Sequence, residues 1–199
     1  MFGCVHRAEG NLLRREKTIM YSLGDVQTSS KGIRSAPLTD ETGSSVFIVA
    51  CREKPLSAPF GASAYNDQAA TRKNICLRCS DEIQTQFEAI DQYMASYIQE
   101  HSQRLFKGKS MTYKPALQQK EDYPPLLRCK INMAGTRMCR FWSPMFTRCD
   151  PPEDLKECAL VPRICVRGMW IMAGECGLQL EVTDIMCETV HESCPFLAA

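Results

Sequence analysis

The stretch from Asp81 to Phe106 constrains the fold more than any other part of the chain. Ile83, Phe87, Ile90, Met94, Tyr97, His101 and Leu105 recur there at steps of three or four residues. That spacing lays them along one stripe of an α-helix. A helix of this length spans about 39 Å at 1.5 Å per residue, so it must lie across a whole domain face. Asp81 with Gln84 forms a candidate capping box, and Gly108 follows the end as a stop signal.

Strand patterns surround this helix. Ser44 to Arg52 is a β-branched and aromatic run behind a Thr42-Gly43 turn, and Lys73 to Ser80 alternates with Ile75, Leu77 and Cys79 on one side. Between them, residues 53–63 carry two prolines and a glycine and read as a loop. Ser110 to Gln119 is expected as a short helix with Pro115 in its first turn. From Tyr123 onward the pattern is strands and turns. Two strands, a long helix and then at least four strands give an α+β order, and short antiparallel hairpins suit a small barrel. The expected organisation is a disordered tail over residues 1–30, a single domain over 31–190 and a short tail over 191–199. Met20 is an alternative start. Arg7, Arg14, Arg15 and Lys17 hint at a transit segment, against which Glu9 and Glu16 stand.

Charge excludes some functions. Formal net charge is +1, so any electrostatic role must come from local clustering. No apolar run approaches the ~18 residues of a membrane span, so no membrane partner is expected. The chain has 12 cysteines. Five lie in strand-like apolar runs of the second half (Cys129, Cys139, Cys165, Cys176, Cys187), where a reduced thiol behaves as a small core residue. The reading is an intracellular protein, the nucleus ahead of an organelle.

Conventional chemical motifs are few. Cys76-Leu-Arg-Cys79 is a CxxC, and a tetrahedral zinc site would need a second pair, for which only His191 and Cys194 offer comparable spacing. Residues three apart on a strand point to opposite faces, so core cysteines are the preferred account and no metal or cofactor is expected. The histidines are His6, His101 and His191, and no nucleophile elbow, P-loop or zinc-protease signature is present. No catalytic residue is assigned.

The hairpin expected around Ala134-Gly135 is more informative. Alternation puts Leu127, Cys129, Ile131, Met133, Met138 and Trp142 on one face. Arg128, Lys130, Asn132, Arg137, Cys139 and Phe141 fall on the other. A face that interleaves cations with a ring is what a single-strand nucleic-acid binder needs. The cations track phosphates, and each stacked base is worth ~1–3 kcal/mol. A solvated face of a half-buried sheet would show the same alternation.

The order of segments from Pro59 onward resembles the single-stranded DNA-binding proteins of large DNA viruses and related algal proteins, an OB-fold group akin to phage replication single-strand binders. The resembling pieces are "APFGASAYN", "NICLRCS" leading into the long helix, "SQRLFKGK", "YPPLLRCKIN" and "VRGMWIMAGECGLQLEVTDI". The resemblance implies an OB-like antiparallel β-barrel with one long inserted amphipathic helix. It also implies non-enzymatic binding of single-stranded DNA rather than RNA, in replication, repair or recombination. The phage members' strongly acidic C-terminal tail has no counterpart in "ETVHESCPFLAA". On this reading Arg128, Lys130, Arg137, Arg140, Arg163 and Arg167 contact phosphates, Phe141 stacks on a base, and Lys107 and Lys109 extend the track. A homodimer is compatible with it. Alternatives are a scaffold domain docking through the long helix and a small zinc-binding domain.

Two registers are open for Met169 to Val182. A Gly174-Glu175 loop sets Trp170 opposite Gln179, on the face with Glu181. A loop from Gly174 to Cys176 sets Trp170 opposite Leu180. The second separates apolar from polar more cleanly, and burial of a large side chain at ~1.5–3 kcal/mol outweighs a turn preference. Trp170 is therefore expected in the core.

Overall fold

The computed structural model describes residues 21–30, 32–64, 70–119 and 123–189. The expected tail 191–199, with His191 and Cys194, lies outside them, as does His6.

Two long strands frame the molecule, β12 (Cys158–Met172) and β13 (Glu175–Thr189). Their turn is Ala173-Gly174, with φ of 50° and 83°. Positive φ at both central residues is the geometry of a two-residue type I′ turn, whose twist matches the strands it joins. Met172 therefore pairs with Glu175 and Trp170 with Gly177, a register that neither sequence-based alternative contained.

Other strands assemble on this frame. β1 (Tyr21–Leu23) and β2 (Gln27–Thr28) pair with β3 (Arg34–Asp40), and β3 and β4 (Val46–Val49) run antiparallel to β12. Tyr21–Leu23 and Gln27–Thr28, inside the stretch expected as a tail, therefore belong to the sheet. On the other side, β7 (Thr112–Lys114), β9 (Leu126–Asn132) and β10 (Arg140–Trp142) run parallel to β13. β6 (Arg72–Arg78) pairs antiparallel with β9 over seven positions. The short strands β5 (Ala62–Ser63), β8 (Leu117–Gln118) and β11 (Arg148–Cys149) pair with β6, β9 and β10.

The α+β class holds, but the sheet is not a closed barrel. Its path β1-β3-β12-β13-β9-β6-β5 has two ends. Single-residue bridges from Leu56 to Leu160 and from Ser57 to Arg78 lay residues 56–57 between β12 and β6 without forming a strand.

The predicted helix is α1 (Asp81–Glu100), followed by a short α2 (Ser102–Phe106) after a break at His101. Ile83, Phe87, Ile90, Met94 and Ile98 are buried in one core with Ile75, Leu77, Leu127, Cys129 and Ile131. Tyr97 and His101 stand half-buried at the rim with ring centroids 4.2 Å apart, which ends the stripe before it resumes at Leu105 and Phe106. Ser80, not Asp81, is the N-cap residue, and Gln84 Nε2 donates to the Cys79 carbonyl at 3.1 Å.

The short helix expected over 110–119 is instead β7 and β8. Asp91, buried on α1, takes the Tyr113 hydroxyl at 2.5 Å and the Ala116 amide at 2.8 Å. Those bonds, with Pro115 between them, hold the segment extended. Burial pushes the Asp91 carboxyl above its usual range although both bonds favour its charge.

Candidate nucleic-acid interface

β9 alternates as its sequence requires, with Leu127, Cys129 and Ile131 buried and Arg128 and Lys130 exposed. Antiparallel pairing sets Asn74 beside Lys130, Cys76 beside Arg128 and Arg72 beside Asn132 on the outer face. Lys130 donates to Asn74 Oδ1 at 2.6 Å. Its ammonium is held below the ordinary lysine value, first by partial burial and then by the charges of Arg128 and Arg72. Arg128 has no carboxylate partner among the described residues. This is a locally positive surface on a chain of near-zero net charge.

Trp170 belongs to the same face. Because it pairs with Gly177 it points outward, half-buried rather than in the core. A Cβ at residue 177 would come within 2.9 Å of the indole Cζ2 and 2.7 Å of the Lys114 carbonyl oxygen. Only glycine lets the ring lie against the backbone there. Trp170, Met172 and Ile33 form one wall of a groove of about 470 Å³, and Arg72, Asn74, Arg128, Lys130 and Lys114 form the other. Lys114 Nζ lies 2.9 Å from Glu175 at the mouth.

Farther along β13, two buried carboxylates organise arginines. Glu181 takes Arg167 at 3.0 Å and Asn132 at 3.2 Å, with Arg72 at 3.9 Å. Asp184 takes Arg140 Nε at 2.7 Å, Arg163 at 3.4 Å, the Thr183 hydroxyl at 3.0 Å and the Trp142 indole N–H at 3.2 Å. Burial opposes the charge on Asp184. The bonds from Arg140, Thr183 and Trp142 outweigh it and hold the carboxyl below its usual range. The Arg163 guanidinium lies 3.6 Å from the centroid of the half-exposed Phe47 ring, a cation–π geometry.

Several predicted site residues move. Phe141 is 1% exposed and pairs with Ile185 in the core, so it cannot stack on a base. The expected hairpin does not form. Residues 133–139 make a longer loop, with a turn bond from the Met138 amide to the Gly135 carbonyl. β10 then joins β13 in parallel, not β9. The extra residues shift the alternation by one, burying Cys139 and Phe141 and turning Arg140 and Trp142 outward. Met138 and Trp142, expected in the core, are half-buried. Arg137 is exposed in the loop. Lys107 and Lys109 are exposed beyond α2 and do not line the groove. Arg128 and Lys130 line it, whereas Arg140, Arg163 and Arg167 are held on carboxylates.

The sequence reading missed Arg72, Asn74, Lys114, Glu181 and Asp184. Arg72 and Asn74 were within reach, because assigning Ile75 and Leu77 inward leaves their neighbours outward. Glu181 and Asp184 carry no local signal, since their partners come from four other strands.

The CxxC cysteines differ in setting. Cys76 is half-buried on the outer face, while Cys79 is buried just past β6, where burial pushes its thiol up to about 12. Among the described residues no group of three or more His, Cys, Asp or Glu is placed to hold a metal, and no helix is long and apolar enough to cross a membrane. The outward face of α1 presents Thr85, Gln86, Glu88, Gln92, Ser96 and Gln99, without an apolar stripe for docking.

No protein-family model matches the chain, and a comparison with curated proteins finds no match. Among solved structures, the chain is similar to the crystal structure of gp2.5, a single-stranded DNA binding protein encoded by bacteriophage T7. The TM-score is 0.45 and the identity 10%, over 74% of this chain and 93% of that one. At that level the likeness assigns no residue and no activity.

Proposed function

We propose that this chain is a non-enzymatic binder of single-stranded nucleic acid, DNA ahead of RNA, as the sequence resemblance implies. The observation that carries the proposal is the groove in which Trp170 faces Arg72, Arg128 and Lys130. A ring stacks on any base because every base has a π-face, and the cations follow the phosphates, so such a groove binds with little sequence preference. A role in replication, repair or recombination fits that activity.

Titration of labelled single-stranded oligonucleotide at low and high salt tests this. Binding is expected at ~50 mM salt, with log Kd rising linearly against log salt because binding releases counterions from the phosphates. Trp170→Ala is expected to weaken it by ~1–3 kcal/mol, roughly 5- to 150-fold in Kd. Absence of binding, or a flat salt response, overturns the reading.

A further inference from the structure

The chain has two tryptophans, and both lie on the outer face of the β12–β13 frame. Trp170 sits at the turn end, beside Gly177. Trp142 sits toward the other end, where β10 pairs Trp142 with Met186. From residue 177 to residue 186 along β13 is nine steps, about 30 Å of surface at ~3.3 Å per residue, and the irregularity at Thr183, between the pairs Ile164–Val182 and Arg163–Asp184, resets the alternation so that both ends face outward.

The second indole has the same kind of company as the first, arranged differently. Its N–H is tied to Asp184, so the ring is fixed while remaining part-exposed. The Arg140 guanidinium lies 6.0 Å from its centroid. Arg140 and Arg163, with side chains 48% and 38% exposed, share the Asp184 carboxylate. A guanidinium has five N–H donors in a rigid fork, and one carboxylate cannot use those of two. Both arginines therefore keep donors for a second anion while Asp184 holds them in place. Between the two indoles, Lys130 lies beside β13 and Arg167 is pinned on Glu181.

We infer that Trp142, Arg140 and Arg163 form a second subsite for the same single strand, a base-stacking ring with two pre-positioned phosphate ligands. It is reached by running along β13 from the Trp170 groove. The inference rests on the proposed function. It adds a minimum ligand length, because the two subsites share a strand only if that strand covers about 30 Å. At the ~3.4 Å per-strand phosphate spacing of stacked nucleic acid that is about nine nucleotides, inside the ~4–16 known for one OB fold.

Having only two tryptophans makes the test direct. In Trp170→Phe all indole emission comes from Trp142, and in Trp142→Phe all comes from Trp170. Each variant is titrated with oligothymidylates of 4 and 16 nucleotides. Trp170 is expected to be quenched by both lengths. Trp142 is expected to be quenched only by the longer, which should bind wild type about fivefold or more tightly than the shorter, one added stack being worth that much. Trp142 emission unchanged at both lengths, while Trp170 responds, overturns the second subsite and leaves the groove reading intact. Trp142 responding fully to the 4-mer overturns the shared track. Silence of both indoles overturns both readings. Should either Phe variant fail to fold, Arg140→Ala/Arg163→Ala gives an independent test. It should lose several-fold affinity for the 16-mer and none for the 4-mer, and equal loss for both lengths overturns the subsite.

Discussion

β9 and β10 make an instructive pair. Both run parallel to β13, and each presents an outward cation beside a buried acid, Lys130 next to Glu181 and Arg140 next to Asp184. Yet β9 keeps the alternation expected of its sequence and β10 inverts it. β9 is seven residues long and pairs with β6 at every position, so a slip would expose Leu127, Cys129 and Ile131 together. β10 is three residues long and is reached through a loop. Its register is set by what it finds on β13, and Phe141 finds Ile185. Alternation is therefore a reliable guide where several large side chains depend on it, and a weak one where only a single ring does. The electrostatics differ in the same way. Arg128 on β9 has no acidic partner among the described residues, whereas Arg140 on β10 is locked to a carboxylate.

The largest effect that could break this comparison is on stability. Phe141→Ala removes a fully buried ring and is expected to cost about 3–5 kcal/mol by urea denaturation. If Phe141 pointed outward, as the hairpin expected at Ala134-Gly135 would place it, the cost would fall within ~0.5 kcal/mol. A smaller effect sharpens the electrostatic half. Arg128→Ala/Lys130→Ala should lower the salt slope for a four-nucleotide strand by about 1.4, at ~0.7 per lost phosphate contact. Arg140→Ala should leave that short-strand slope unchanged. The smallest effect concerns Asp184. Its folded pKa lies below the unfolded value, so its contribution is complete well above about pH 4 and is lost as pH falls through the depressed folded value. Asp184→Asn should flatten that acid limb, read as urea midpoints between pH 2.5 and 6. An unchanged limb would mean that the arginine clamp adds nothing to stability.

How much was legible in the sequence follows from the same physics. The helix was as far as Glu100, because Ile83, Phe87, Ile90, Met94 and Tyr97 agree on one period. So were the inward faces of β6 and β9, since each strand alternates over a long run, but their pairing with each other was not. The Trp170 register was not. It turned on whether the chain reverses at Ala173-Gly174 or one residue later. Ala173 at φ 50° is a conformation that an L side chain seldom adopts, so local turn chemistry pointed elsewhere while fourteen paired positions along β12 and β13 decided it. The site was half legible for a related reason. Arg128 and Lys130 follow from one strand, but the groove also needs Arg72 from β6, Lys114 from β7 and Trp170 from β12. No single segment encodes that meeting.

The β12–β13 hairpin also bears on the order in which the molecule can be built. Residues 158–189 supply pairing edges for β3, β4, β7, β9 and β10, yet they come later in the chain than every strand they organise. During synthesis at ~5–20 residues per second, those earlier strands must wait for their partners. The β6–β9 pair and α1 can meet beforehand, but the sheet cannot be completed. Ribosome-bound chains halted before residue 158 are therefore expected to remain protease-sensitive throughout, and chains released beyond residue 189 to become resistant in one step.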